Sequence, residues 1–224
     1  MRSDAQGVLV IWNDIDEIAE TDFLNWHVRE HMPERVRLPG FLRGQRYIAV
    51  EGRPKYFNFY EATDAATFNS DQYRERLNNP TAWTRQVVAH FRNTARTICK
   101  RVGRAGAGDG AFVETLRVSA DIGDEFAKAI GDEMLPRLVS KEGIVAASLL
   151  QGLQAASSGG SAEKKLRNEP DQIADWVLFT EAVSSAFLTS QAHKNEVEAL
   201  FRKAGAASDW RRAVYHLQFS LSHS

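Results

Sequence analysis

Two stretches of the chain, 103 residues apart, share a spacing of apolar residues, proline and glycine. Residues 23–40 read FLNWHVREHMPERVRLPG, and residues 126–143 read FAKAIGDEMLPRLVSKEG. At this offset the coinciding positions are Phe23 with Phe126, Glu30 with Glu133, Pro33 with Pro136, and Gly40 with Gly143. Each stretch predicts an amphipathic helix that ends before a glycine. The coincidences therefore indicate that one structural unit occurs twice.

Strands are predicted on both sides of these helices, and their order is the same in each half. In the first half the strands are predicted at residues 8–12, 41–50, 55–62 and 94–102, and the helices at 20–38 and 64–91. In the second half the strands are predicted at 112–119, 144–153, 176–182 and 212–221, and the helices at 124–141 and 185–204. Apolar and aromatic runs indicate the strands, and Gly, Pro and Asn indicate the turns. Each half thus has the order βαββαβ.

A βαββαβ unit folds into a four-stranded antiparallel sheet with two helices on one face. The other face of such a sheet must also be covered, and a second unit in the same chain can cover it. The sequence therefore predicts an α+β fold in which two tandem ferredoxin-like units pack sheet to sheet. This is the arrangement of a dimeric α+β barrel, made within one chain.

The two units are predicted to meet at a glycine-rich linker. The first unit would span residues 1–103 and carry the polar site, and the second would span residues 104–224. The linker is expected over residues 103–110. Farther along the second unit the offset rises from 103 to 119, which requires added residues. A segment rich in Gly, Ser, Lys and Glu at about 154–170 accounts for them and predicts a mobile surface insertion.

Composition and charge exclude several classes of partner. The chain has 224 residues, of which 43% are hydrophobic and 25% charged, and its formal net charge is −1. This balance is ordinary for a globular protein and gives no general attraction to nucleic acids or anionic membranes. The one cysteine, Cys99, permits no intrachain disulfide, so we expect a reducing, cytoplasmic location. Its thiol is expected to pack in the core.

The first helix carries two histidines that its counterpart in the second half lacks. His27 and His31 are four residues apart, so they lie on one face of a helix, about one turn from each other. Ile130 and Met134 take their places in the second half. An apolar stripe is thus replaced by two imidazoles, whose burial is unfavourable without polar partners. This difference favours a polar cavity between helix and sheet, with two hydrogen-bonded core histidines as the alternative.

Further polar side chains of the first half are candidates for binding a substrate in that cavity. They are Asn13, Arg46, Tyr47, Asn58 and Tyr60. Arg46 and Tyr47 are neighbours on one strand, where side chains alternate between faces, so only one of them can face the helices. Tyr47 or Tyr60 is expected to stabilise an enolate or phenolate, and Arg46 to hold a substrate carboxylate.

The stretch from Trp26 to Arg35, with Leu38-Pro39-Gly40-Phe41 after it, resembles the EthD-like branch of the dimeric α+β barrel superfamily. Such proteins often carry a histidine before a proline on the first helix, and a Pro-Gly-Phe sequence before the second strand. The resemblance covers the first half well and the second half only by topology. It implies a cavity for small aromatic or otherwise hydrophobic molecules, with His31 as the residue carried over. It also implies one site per chain, since the second half lacks the histidines.

Three functions remain open from these residues. The first, which we favour, is a lyase, isomerase or oxygenase that needs no cofactor and uses His27 and His31 as acid and base on a small aromatic or hydrophobic substrate. The second is a metal or haem enzyme with Glu30, Glu34 or His90 as a third ligand. The third is a small-molecule binding protein without catalysis. A homodimer is compatible with all three.

Overall fold

The computed structural model describes residues 5–118, 123–167, 170–205 and 210–223, which form eight strands. The strands are β1 (Gly7–Ile15), β2 (Phe41–Glu51), β3 (Tyr56–Ala62), β4 (Phe91–Gly106), β5 (Phe112–Val118), β6 (Ile144–Gly152), β7 (Trp176–Ala182) and β8 (Trp210–Ser222). Neighbouring strands pair antiparallel in the order β1-β3-β2-β8-β5-β7-β6-β4, and the sheet closes into a barrel through β4 and β1.

Each half of the chain contributes four adjacent strands to the barrel. The first half supplies β4-β1-β3-β2, and the second half supplies β8-β5-β7-β6. The halves join edge to edge where β2 pairs with β8 and where β4 pairs with β6. This closure pairs the edge strands of both halves, which would otherwise expose unpaired backbone groups. The predicted α+β barrel of two ferredoxin-like units in one chain is confirmed.

The inner faces of the two four-stranded sheets form one apolar core. Alternate residues of each strand point inward, as Trp12 of β1 does. The ring of Phe59 stacks on Phe179 of the other half, with 4.6 Å between the ring centroids. Cys99 is buried in the same core, where its thiol packs among apolar side chains. Burial of each large apolar side chain contributes about 1.5–3 kcal/mol, so this core holds the two halves together.

Helices cover the outer faces of the sheet. They are α1 (Glu20–Trp26), α2 (Met32–Val36), α3 (Asp71–Asn78), α4 (Ala82–Val88), α5 (Asp124–Ala129), α6 (Leu135–Val139), α7 (Gln154–Ser157), α8 (Ala162–Lys165), α9 (Ser185–Thr189) and α10 (Gln191–Lys203). Short 3-10 turns precede α1, at Glu17–Ala19, and α3, at Ala65–Asn69. Within the described residues, the helices are too short or too polar to cross a membrane.

A widened, π-helical turn interrupts the first helix of each half. It covers His27–His31 between α1 and α2, and Ile130–Met134 between α5 and α6. In both turns the next amide bonds to the carbonyl five residues back. Pro33 and Pro136 follow one residue later, and a proline cannot donate to the carbonyl four residues before it. Because the turn occurs in both halves, it follows from the proline position rather than from the histidines.

Strand β4 is longer than predicted and takes up part of the expected linker. Gly103 pairs with Leu149, and Gly106 pairs with Ala146, both on β6. The unit boundary expected between residues 103 and 104 thus lies inside a strand. These glycines are ordered because β6 supplies hydrogen-bond partners for their backbone, which the sequence pattern alone did not indicate.

The insertion that was expected to be mobile is folded over the first half. Its described part, residues 154–167, contains α7 and α8, while residues 168 and 169 lie outside the described residues. The buried hydroxyl of Ser157 accepts a hydrogen bond from the Ile98 amide at 2.9 Å. Glu163 on α8 pairs with Arg35 on α2. Polar groups of these residues thus reach partners far away along the chain, and the mobility of the insertion stays a prediction.

Candidate functional site

A small cavity lies between the first helix of the chain and the outer face of the first half's sheet. Its volume is about 30 Å³. That is room for about two water molecules, at roughly 10–15 Å³ each. The polar residues in its lining are His27, His31, Arg35, Asn58, Tyr60, Tyr73, Arg96, Glu163 and Arg167. The site therefore combines side chains from the helical face of the sheet with two from the second half's insertion.

His27 is almost fully buried against the sheet. Its Nε2 lies 3.3 Å from the hydroxyl of Tyr60 on β3. Its Nδ1 is buried and has no hydrogen-bond partner among the described residues. Burial lowers the pKa of His27 well below its usual value of 6.5, and the nearby charge of Arg46 lowers it further. The imidazole is therefore neutral at pH 7, and either tautomer leaves the hydrogen-bonding capacity of Nδ1 unused.

His31 lies one turn farther along and stacks on Trp26, with 4.3 Å between the ring centroids. The indole of Trp26 is held in place because its Nε1 donates to Thr84 on α4 at 3.2 Å. The His31 ring lies 5.5 Å from that of His27, and its Nδ1 is also buried without a partner among the described residues. Burial lowers the pKa of His31 well below 6.5, and the charges of Arg35 and other neighbours add to this effect. The site thus contains two adjacent neutral imidazoles.

Tyr60 and Asn58 face the same cavity from β3, as their spacing predicts. Burial raises the pKa of the Tyr60 phenol, so this group stays protonated and can donate a hydrogen bond. The Asn58 amide donates to the Oδ1 of Asn13 at 3.1 Å, while its own Oδ1 is buried without a partner in the described part of the chain. Asn13 is fully buried behind Asn58 and does not line the cavity. Its contact with the site runs through Asn58.

The alternation on β2 separates Arg46 from Tyr47. Arg46 is on the helical side, where it donates to the Leu24 carbonyl at 3.3 Å and lies over the ring of Phe23. It stands behind His27 and is not part of the cavity lining. Tyr47 points into the barrel core, where its ring packs on Phe57 at 5.6 Å. The expectation that Tyr47 lines the cavity is therefore wrong, because neighbouring strand residues face opposite sides.

The sequence did not indicate the charged residues that close the cavity. Arg35 is buried, and its Nη2 contacts Glu163 at 2.6 Å. Glu163 and Arg167 belong to the insertion and lie more than a hundred residues away from the histidines in sequence. No local pattern could have identified this contact, because it depends on how the second half folds over the first.

The arrangement does not fit a metal ion. The described residues contain no group of three His, Cys, Asp or Glu side chains placed to hold a cation. Each proposed third ligand is engaged elsewhere: Glu30 accepts from Thr81 at 2.6 Å, Glu34 pairs with Arg35, and His90 pairs with Asp16. The arginines of the cavity lining further disfavour a cation.

A haem also does not fit the cavity as it stands. An apolar cavity that binds benzene has a volume of about 150 Å³, and a porphyrin is far larger than benzene. The present cavity is about 30 Å³ in volume. Trp26 lies against one face of the His31 ring, Tyr60 contacts Nε2 of His27, and the Nδ1 of each ring is buried.

Solved structures of low sequence identity share the fold over nearly their whole length. A protein described as anthrone oxidase-like is 14% identical, with a TM-score of 0.65, over 100% of this chain and 95% of that chain. A candidate monooxygenase from Fusobacterium nucleatum subsp. nucleatum is 14% identical, with a TM-score of 0.56, over 97% and 95%. A candidate chlorite dismutase is 12% identical, with a TM-score of 0.54, over 96% and 95%. No protein-family profile and no curated protein matches the sequence. These similarities show the dimeric α+β barrel fold and do not select the EthD-like branch.

Proposed function

We propose that this protein is a small-molecule enzyme of the oxidase or monooxygenase type, in which a neutral histidine removes a proton from an aromatic substrate. The observation that carries the proposal is the pair of buried imidazoles beside a cavity, whose Nδ1 atoms have no hydrogen-bond partner in the part of the chain that the structure describes. A buried polar atom without a partner is unfavourable, and such atoms cluster where a ligand completes them. The names of the structural relatives agree with this class of reaction.

The chemistry requires a substrate with an acidic C–H or O–H bond. The proton moves to a nitrogen of His27 or His31, which is available because neither imidazole is protonated at pH 7. The substrate is left as a carbanion, enolate or phenolate. The Tyr60 hydroxyl is the donor that would stabilise its negative oxygen. The anion's carbon then bonds to dioxygen, which accepts the electron pair and becomes a peroxide anion. This anion takes back the proton from the imidazolium, and loss of water leaves a carbonyl group in the product.

A substrate can occupy the site only if the insertion moves. The cavity of about 30 Å³ is too small for an aromatic ring, which needs about 150 Å³. Its lining includes Glu163 and Arg167, at the end of α8 and just beyond it, and these are the side chains that come from another part of the chain. We therefore propose that α8 swings away when substrate binds and closes again over it.

Oxygen uptake with anthrones and related phenols tests the proposal. His31→Ala should lower the rate by ~10²–10⁴-fold, as expected for a lost proton-transfer group. His90→Ala is the matched control, because His90 pairs with Asp16 outside the cavity and should keep full activity. Turnover that survives both His31→Ala and His27→Ala would refute the catalytic role of the histidines. Tight binding without any turnover would favour the non-catalytic alternative.

A haem-dependent enzyme is the second candidate, favoured by the two imidazoles and by the likeness to a candidate chlorite dismutase. Titration with haemin separates it from the first. We expect no shifted absorption band, because a porphyrin is far larger than the aromatic ring that movement of α8 would admit. A haem band that disappears in His31→Ala would establish the haem enzyme instead.

Assignment to the EthD-like branch belongs to this proposal and is supported only by the histidine-proline motif on the first helix. A homodimer and a cytoplasmic location likewise stay predictions.

A further inference from the structure

A second, larger depression adjoins the histidine cavity on its outer side. Its volume is about 270 Å³. It shares three wall residues with the inner cavity: Arg96 of β4, Glu163 of α8 and Arg167 just after α8. These side chains therefore form the partition between a space of ligand size and the space beside the histidines. We call these three residues the junction.

The junction carries more positive than negative charge. Glu163 is already engaged by Arg35 at 2.6 Å. Arg96 donates to a neutral group, the hydroxyl of Tyr73, at 3.2 Å. The outer depression adds the cations Arg74 and Lys164 to its lining. A ligand that crosses from the outer space to the inner one thus meets a predominantly cationic surface.

Arg167 has a hydrogen-bond donor to spare in this wall. Its side chain is 6% exposed, and its Nη2 donates to Asp171 at 3.0 Å. Its Nε is buried and has no partner among the described residues. Burial lowers the pKa of the Arg167 guanidinium, the carboxylates of Asp171 and Glu163 oppose this effect, and the charge of Arg96 adds to it. Two repelling guanidinium groups and an unused N–H are the features that an anion would satisfy together.

We propose that the junction binds an anionic group of the substrate, a carboxylate or a phenolate, and that Arg167 is the residue that selects for it. This inference rests on the proposed function, since it names the substrate class of the same site. Arg167 belongs to the second half, so specificity is supplied by one half and proton transfer by the other. An anion held at the junction also offsets the cations around His31, which favours transfer of a proton to that imidazole.

Binding of two matched ligands to the full-length chain tests the proposal. Benzoate and benzamide have nearly the same shape, and only benzoate carries a charge. We expect the parent to bind benzoate at least about tenfold more tightly than benzamide, as a charged hydrogen bond provides. Arg167→Gln should abolish this preference and leave benzamide binding unchanged, and Arg167→Lys should retain part of it. Lys165→Gln is the matched control, because it removes the same charge from an exposed position of α8.

The proposal is overturned if the parent binds both ligands equally or binds neither, or if Arg167→Gln weakens both equally. The result is separable from the catalytic role of His31, because the readout is binding. His31→Ala should lose oxygen uptake and keep the benzoate preference. One further result would reject the anion site and still support the proposed function. In that case His31→Ala loses oxygen uptake, but the parent binds benzoate and benzamide equally well.

Discussion

The first helices of the two halves share a backbone and differ in what they carry. Both contain a π-helical turn before a proline, and both pack on the sheet. In the second half Ile130 and Met134 point at the sheet and belong to an apolar cluster. In the first half His27 and His31 occupy those positions and border a cavity. The fold therefore determines where the first helix of each half meets the sheet. The two side chains at that contact determine whether it is an apolar core or a polar site.

The halves also contribute different residues to the cavity. The first half holds the histidines, and the second half extends α8 across them through the contact of Glu163 with Arg35. The insertion has no counterpart in the first half. The half that lacks the histidines is therefore part of the site, since it closes the cavity.

Writing the first half's residues into the second should have the largest effect on stability. Ile130→His with Met134→His would bury two imidazoles in an apolar cluster. We expect the free energy of unfolding to fall by about 2–5 kcal/mol, measured by urea unfolding. The size-matched control, Ile130→Val with Met134→Leu, should cost less than about 2 kcal/mol. If both double variants lose the same free energy of unfolding, the loss results from side-chain volume rather than from polarity.

Weakening the contact between the halves should have a moderate effect. Glu163→Gln removes the charge opposite Arg35, and both side chains are buried. We expect a loss of about 1–3 kcal/mol in the free energy of unfolding and faster amide hydrogen exchange in α8. The control variant Lys165→Gln, which removes a charge from an exposed position of α8, should change neither the free energy of unfolding nor the exchange. Unchanged amide hydrogen exchange in α8 would mean that the pair of Glu163 and Arg35 does not hold α8 against the first half.

The two buried histidines should also make the free energy of unfolding depend on pH. Burial places the pKa of both histidines below 6.5 in the folded protein. The unfolded chain therefore takes up protons there that the folded chain does not, so stability should decrease as the pH falls below about 6.5. The slope is roughly 1 kcal/mol per pH unit for each histidine. His27→Ile with His31→Met should remove this part of the slope between about pH 7.5 and about pH 5.5. If plots of the free energy of unfolding against pH are parallel for parent and variant, the histidines do not cause the pH dependence.

The repeated spacing of Phe, Pro and Gly was sufficient to predict the barrel. A helix ended by glycine and strands of regular length leave one compact arrangement for two such units. The extension of β4 through Gly106 could not be predicted, because a glycine-rich segment becomes a strand only when a partner such as β6 lies beside it. Element order is thus local information, and element ends depend on tertiary pairing.

Local sequence patterns indicated some residues of the candidate site, while others depend on tertiary contacts. The difference from the second half indicated His27 and His31, and the strand period indicated Asn58 and Tyr60. Arg167 and Glu163 were missed because a Gly- and Ser-rich insertion has the composition of a loose loop, and its packing depends on contacts across the two halves. Tyr47 was included in error, since the sequence did not show which face of β2 meets the helices.

The double variant His27→Ile with His31→Met provides the most direct test, with melting temperature and oxygen uptake measured on the same preparation. It places the second half's residues in the first half and removes two buried Nδ1 atoms that have no partner within the described ranges of the chain. We predict a melting temperature equal to or above that of the parent, together with loss of oxygen uptake. A lower melting temperature with unchanged uptake would contradict the site, because it would show that the histidines are core residues.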